Sequence, residues 1–309
     1  MVVALGGNAI APPGADDPAS QLQAVDAAMD KVAELVDEGY DVALTHGNGP
    51  QVGNLMIKNQ LARDVVPAVP LDWCVAQTQA TIGYLIVSCL ERALTGRGIR
   101  RIVSALTTRV LVDRDDPAFE HPTKPIGRYL PEAEARAHMA DGEIWAESGP
   151  KGWRRLVPSP HPRAILDVDA ALRLLGDGNV VVCAGGGGIP MVREGDRLTG
   201  VEAVLDKDLS ASLLARTISA ERLVIATDVQ AAAVRFGTSD QRWLGRVTPG
   251  QLRELAAAGE FDAGSMGPKI EACAEFVEVT GKRAVISSLE SLVEGAAGRA
   301  GTVVEPVAL

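Results

Sequence analysis

Cysteine is scarce in this chain: Cys74, Cys89, Cys183 and Cys273 stand far apart, with no C-x-x-C pair and no clustered histidine beside them. That excludes a disulfide framework and a zinc site of familiar spacing, and the four read as reduced, buried small hydrophobes. Histidine is equally sparse. Positions 46, 121, 138 and 161 lack metal-ligand spacing, and no Ser-His-Asp arrangement is visible. Positive charge is not in excess either: the net charge is −10, so no overall field favours nucleic acid, and an anionic substrate has to be met by local donors. No apolar run approaches the length of a membrane span, and Met1-Val-Val-Ala-Leu5 lacks a basic leader segment, so a cytoplasmic protein is expected. The familiar nucleotide fingerprints are missing. Gly47-x-Gly49-x-x-x-Gly53 is one residue too long for G-x-G-x-x-G, and Gly281-Lys282 is followed by Arg283 outside any P-loop context.

What is present is a large α/β pattern. The 309 residues are 47% hydrophobic and 23% charged, an ordinary globular balance. Val2–Leu5 reads as a strand that runs into Gly6-Gly7-Asn8. Ser20-x-x-Gln23 reads as a capping box opening a helix through Leu22, Val25, Met29, Val32 and Leu35, which Gly39 closes. A second strand, Val42–Leu44, leads into Gly47-Asn48-Gly49-Pro50 and another helix. This β-α-β-α opening is the grammar of a parallel sheet with right-handed crossovers. A long helix is expected over Leu71–Arg92 and a buried strand over Ile102–Leu106.

The texture then changes. Eight of the eighteen prolines and two of the four tryptophans, Trp145 and Trp153, lie between Pro117 and Pro162. We read an inserted, irregular subdomain from about Asp113 to Val157, with one short charged helical piece around Pro131–His138. The parallel pattern resumes with Asn179–Ala184 ending in Gly185–Gly188, then Arg222–Ala226 ending at Thr227-Asp228. Thr248-Pro-Gly-Gln251 is a further capping box, and Gly264-Ser-Met-Gly-Pro-Lys269 leads a last long helix before the strand Ala284–Ser287.

Three strands thus end in glycine turns, at Gly6-Gly7, Gly47–Gly49 and Gly185–Gly188. In a parallel sheet such turns gather along the carboxyl edge, where free N–H groups and helix N-termini favour an anion. Joining two anions also requires cations at the reacting centre. Lys269 stands at a helix start, where it opposes the macrodipole, so structure alone does not recommend it there. Lys207, between Asp206 and Asp208, reads equally as a site residue or as part of a solvated charge run. Lys124, in His121-Pro-Thr-Lys-Pro125, reads on residue type alone as solvent-exposed. Phosphoryl transfer by positioning and electrostatics suits such a set, because it asks little covalent chemistry of the protein.

Taken in order, Ala4-Leu-Gly-Gly-Asn-Ala9, Thr45-His-Gly-Asn-Gly-Pro-Gln-Val-Gly53, Thr123-Lys-Pro-Ile-Gly127, Gly185-Gly-Gly-Gly-Ile-Pro190, Leu205-Asp-Lys-Asp-Leu209 and Gly264-Ser-Met-Gly-Pro-Lys269 resemble the carbamate kinases of the amino acid kinase family. The resemblance spans nearly the whole chain. It implies a three-layer α/β/α sandwich on a mainly parallel open sheet, in two lobes. Residues 1–190, with the inserted lid at about 113–157, would bind carbamate or the carbamoyl group, and residues 191–309 would bind the nucleotide. It implies reversible phosphoryl transfer between ATP and carbamate, with Mg²⁺ held mainly by the nucleotide phosphates, in a homodimer. Lys207 and Lys269 would neutralise the transferring phosphoryl, with Asp208 orienting both. Gly6, Gly7 and Asn8 would cradle phosphates; Gly47, Asn48, Gly49, Gly186 and Gly187 would surround the carbamate end; Thr227, Asp228 and Met266 would line the nucleotide site. Many relatives in the wider family carry a lysine where this chain has Ala4, and the resemblance gives that duty to Lys124 of the insertion. Arg128-Tyr129 after Gly127 departs from the pattern. Two rivals remain at this stage: an acyl-phosphate-forming kinase of another carboxylate, and a non-catalytic nucleotide-binding regulator on the same fold.

Overall fold

The computed structural model describes residues 1–11, 17–262 and 264–307. Its centre is an eight-stranded sheet in the order Arg246–Val247, Thr302–Val304, Arg283–Ser288, Arg222–Thr227, Val2–Leu5, Ala43–His46, Val180–Val182, Val103–Ala105. All neighbours pair in parallel except Arg283–Ser288 with Thr302–Val304. Val2–Leu5 is wholly buried, and its side chains alternate between two cores. Val2 and Ala4 face a cluster with Leu214 and Phe276, from the helices Lys207–Thr217 and Met266–Thr280. Val3 and Leu5 face a second cluster with Met29, Ile82 and Ile86, from the helices Pro18–Asp37 and Leu71–Gly96. A strand buried on both faces needs a continuous apolar run, and a period of two then sorts it into two layers of helix. The three-layer α/β/α sandwich expected from the sequence is the fold observed.

Local expectations fare unevenly. The Thr248–Gln251 capping box forms with both reciprocal hydrogen bonds. The Ser20–Gln23 box does not: Pro18 already occupies the first helical turn, so Asp17 becomes the cap and accepts from the Ala19 and Ser20 amides. Against the expectation that no apolar run approaches a membrane span, Leu71–Gly96 is long and apolar enough to cross one; here its Ile82, Ile86 and Leu90 are buried in the core. All four cysteines are free and buried, and burial alone pushes the Cys183 thiol up to about 12.

The insertion is regular where irregularity was expected. Lys124–Leu130, Trp153–Val157 and Ile144–Glu147 form an antiparallel sheet with Trp153–Val157 in the middle, and Glu132–Ala140 is a helix beside it. The prolines that obscured this frame the elements: Pro125 lies on an edge strand, Pro131 precedes the helix and Pro150 sits in a short 3₁₀ turn. Ile126, Leu130, Ala135 and Val157 are buried, Ile126 and Val157 in a cluster with Val52, Leu71 and Val75 of the main body, and Trp145 stacks on His138 with ring centroids 5.4 Å apart. As a check on the local reading, Thr248→Ala should cost about 1 kcal/mol of stability, read as a lowered urea midpoint with an unchanged slope.

Candidate active site

Four neighbouring parallel strands, Arg222–Thr227, Val2–Leu5, Ala43–His46 and Val180–Val182, end at one edge of the sheet. The turns that follow them are therefore adjacent in space although far apart in sequence. A Cβ on Gly47 would lie 2.9 Å from the Gly7 backbone nitrogen and 3.3 Å from Lys207 Cδ, so any larger residue would wedge two turns and a lysine apart. At Gly186, where φ is +63°, a Cβ would fall 2.1 Å from Asn48 Nδ2. Ala184, just before it, also takes a left-handed conformation, with φ of 53°. A buried clamp from the long helix holds this turn. Gln79 donates to the carbonyls of Thr108 and Gly185 and accepts from the Thr108 amide, and the Thr108 hydroxyl accepts from the Ala184 amide.

Facing the turns is a buried charge cluster. Asp206 caps the helix Lys207–Thr217 by accepting from the Asp208 amide at 2.9 Å, and its second oxygen accepts from Lys124 Nζ at 2.7 Å. Asp208, 2% exposed, divides its carboxylate between two ammonium groups: Oδ1 to Lys207 Nζ at 2.8 Å and Oδ2 to Lys269 Nζ at 2.9 Å. Burial alone would raise the Asp208 carboxyl, but the two lysines outweigh it and hold it down at about 2. Burial lowers Lys207, and the neighbouring Lys269 charge adds to that; Lys269 is also desolvated, but Asp208 wins there and its value is raised. His46, 1% exposed, is pushed down by burial to about 4 despite its bond to the Gly47 carbonyl, and is neutral at pH 7.

Between turns and cluster lies a cleft of about 350 Å³. It gathers most of the residues singled out in the sequence: Gly6, Gly7, Gly47, Asn48, Gly49, Gly186, Lys124, Lys207, Asp208, Thr227, Asp228 and Lys269 all line it. Met266 lines an adjoining cavity of about 220 Å³ with Phe236 and Phe261, and Thr227, Asp228, Ser265 and Lys269 border both spaces. A polar cleft continuous with an apolar slot suits an elongated ligand with a charged end and a flat apolar end. Two sequence candidates are not among the lining residues. Gly187 is turned away, with its Cβ position against Leu205 and its carbonyl accepting from Ser210. Asn8 lies in the short helix Gly7–Ile10, and its side chain falls outside the described residues.

Sequence reasoning missed Asp206, Thr78 and Gln79 as parts of this site. Asp206 had a signal, an acidic residue at a helix start just ahead of a lysine. Thr78 and Gln79 are adjacent polar residues on the long apolar helix, buried to 2% and 4% exposure, and only that burial marks them. Among the described residues no group of three or more potential metal ligands occurs.

Residues 1–288 match the sequence profile of the amino acid kinase family. The chain is 41% identical over 310 residues to the carbamate kinase of Thermococcus kodakarensis, covering 98% of each. It is 45% identical over 294 residues to carbamate kinase 1 of Enterococcus faecium, covering 94% of each. Its fold superposes on the Giardia lamblia carbamate kinase bound to AMP-PNP with a TM-score of 0.91 and 39% identity, over 99% of this chain and 98% of that one.

The titration of His46 predicts an acid limb of stability. Its folded value lies below the ordinary 6.5, so as pH falls the unfolded chain takes up this proton first. Stability is full above about 6.5, declines toward about 4 and then stops changing on this account, a loss on the order of a few kcal/mol. Urea unfolding between pH 7 and 4 should give a distinctly flatter slope for His46→Asn than for the parent; an equal slope would contradict the assignment.

Proposed function

The chain belongs to the amino acid kinase family, and from that premise we propose that it is a carbamate kinase, transferring phosphoryl reversibly between ATP and carbamate to give ADP and carbamoyl phosphate. The observation that carries the mechanism is the pair of ammonium groups held on the single Asp208 carboxylate inside the cleft. Carbamate and the γ-phosphate repel each other, and positive charge fixed before the substrates arrive lowers that repulsion without reorganisation at the moment of reaction. In this reading Lys207 and Lys269 meet the transferring phosphoryl group, and Asp208 keeps each at its station. The Gly6, Gly7 and Asn8 backbone receives phosphates. Asn48, Gly49 and Gly186, with Gly47 behind them, enclose the carbamate end. Thr227 and Asp228 lead to the slot beside Met266 for the base. This puts carbamate with residues 1–190 and nucleotide with residues 191–309.

Lys124 enters from the insertion and is held at the cleft by Asp206. We assign it the role of a third cation that arrives with the lid, whose closure would keep water from a labile acyl phosphate. Both Asp208 oxygens are taken by lysines, and Asp206 is engaged by Lys124 and the helix amides. That donor set fits Mg²⁺ brought in on nucleotide phosphates, where it would neutralise phosphate charge, better than a cation caged by carboxylates. The chemical potential of carbamoyl phosphate favours use in the direction of ATP synthesis, in arginine or related nitrogen catabolism, by a cytoplasmic homodimer.

Two measurements test this. The protein with ADP, Mg²⁺ and carbamoyl phosphate should form ATP quickly, and slowly with acetyl phosphate in its place; no ATP from either donor, with ADP still bound, would point to a regulator instead. Lys207→Ala and Lys269→Ala should each lower kcat by about a hundred- to a thousand-fold, and near-parental turnover in both would sink the mechanism.

A further inference from the structure

Thr78 lies on the long helix, behind the cleft wall, where its hydroxyl has one proton and two neighbours. Its Oγ1 stands 2.7 Å from the Val75 carbonyl oxygen and 2.9 Å from Asn48 Nδ2. Two oxygens at 2.7 Å need a proton between them, and only the hydroxyl can supply it, so Thr78 donates to Val75. Its remaining capacity is as an acceptor, and the atom of Asn48 facing it has to be the amide nitrogen. The Asn48 side chain has little room to turn over, because the Gly186 backbone lies so close to its amide that no Cβ would fit there, and Gln79 ties down the neighbouring Gly185. Asn48 is 4% exposed and lines the cleft, and among the described residues its Oδ1 accepts no hydrogen bond.

We propose that Thr78 is a specificity-positioning residue: by fixing the orientation of the Asn48 amide it leaves Oδ1 as an acceptor for the amino group of carbamate and of carbamoyl phosphate. The inference rests on the reading of the cleft as a carbamate site. A carbamoyl NH₂ donates to that oxygen, whereas the methyl group of an acetyl donor cannot and leaves a buried acceptor unpaired. Loss of a hydrogen bond at a site built for it discriminates far more strongly than a difference in size. A hydroxyl two bonds removed from the substrate would thereby decide which acyl phosphate is used.

The test compares kcat/KM for carbamoyl phosphate and acetyl phosphate, as ATP formed from ADP and Mg²⁺, in the parent, Thr78→Val, Thr78→Ala and Thr78→Ser. Valine keeps the shape and removes the hydroxyl; alanine serves if valine does not fold; serine retains the hydroxyl. The preference for carbamoyl phosphate should fall at least about tenfold in the valine or alanine variant, through the carbamoyl phosphate value, and return toward the parent in the serine variant. An unchanged ratio in the variant without a hydroxyl, even with both rates lowered together, overturns the proposal and marks Thr78 as purely structural. If the parent itself makes no ATP from carbamoyl phosphate, the carbamate reading fails first, and that result is separate from a parent that works with an unaltered Thr78→Val ratio.

Discussion

Two ammonium groups compete for one buried carboxylate, and the rest of the site depends on how that competition is settled. Lys207, Lys269 and Asp208 sum to a local charge of +1, that is +2 − 1, in a place with little water. Removing the carboxylate would leave two desolvated cations facing each other, and breaking a buried pair of this kind costs about 3–5 kcal/mol. Keeping it leaves two ammonium groups on one carboxylate beside the glycine turns. The shared carboxylate holds the two ammonium groups in fixed positions at the cleft. Its lysines come from the starts of two neighbouring helices, Lys207–Thr217 and Met266–Thr280, which pack on the same face of the sheet. The core beneath them therefore sets the separation of the charges.

Opposite this cluster the constraint is steric. The turns after Val2–Leu5 and Ala43–His46 touch backbone to backbone, and Gly186 lies against the Asn48 amide. Such proximity lets main-chain groups, which have no rotamers to lose, form the wall of the cleft. The neutral His46 and the three hydrogen bonds of the Gln79 side chain stiffen the wall from behind. A rigid wall and a fixed charge cluster suit a reaction in which orientation and charge do most of the catalysis.

The insertion joins these parts differently. Its strand Lys124–Leu130 brings Lys124 to the cleft and seats Ile126 in an apolar cluster with Val52, Leu71 and Val75. The Lys124–Asp206 pair is more open to solvent than the Asp208 pairs, with 29% of the Lys124 side chain exposed, and so is the weaker of the two attachments. A cation carried on an inserted unit and held by a partly exposed contact is suited to arriving and leaving with that unit.

The parallel grammar of the sheet and the gathering of glycine turns along one edge were legible in the sequence, because each follows from local periodicity or from the absence of a Cβ; the order of the strands in the sheet was not. Lys269 was legible for a similar reason: a lysine at a helix start works against the macrodipole and asks for an explanation. The regular sheet of the insertion was hidden, because prolines at edges and ends resemble prolines in a loop when partner strands are unknown. Ser20 lost its capping role to Asp17 over a difference of three residues that periodicity does not resolve. Lys124, Asp206, Thr78 and Gln79 acquire their meaning from partners 29 to 106 residues away along the chain. Their residue types show only that they can carry charge or form hydrogen bonds. The sequence by itself determined which residues could do this chemistry and on which edge of the sheet they would stand. Only the tertiary structure decided which carboxylate each lysine meets and which end of Asn48 faces the cleft, because hydrogen bonds and ion pairs act over a few ångströms in space whatever the distance along the chain.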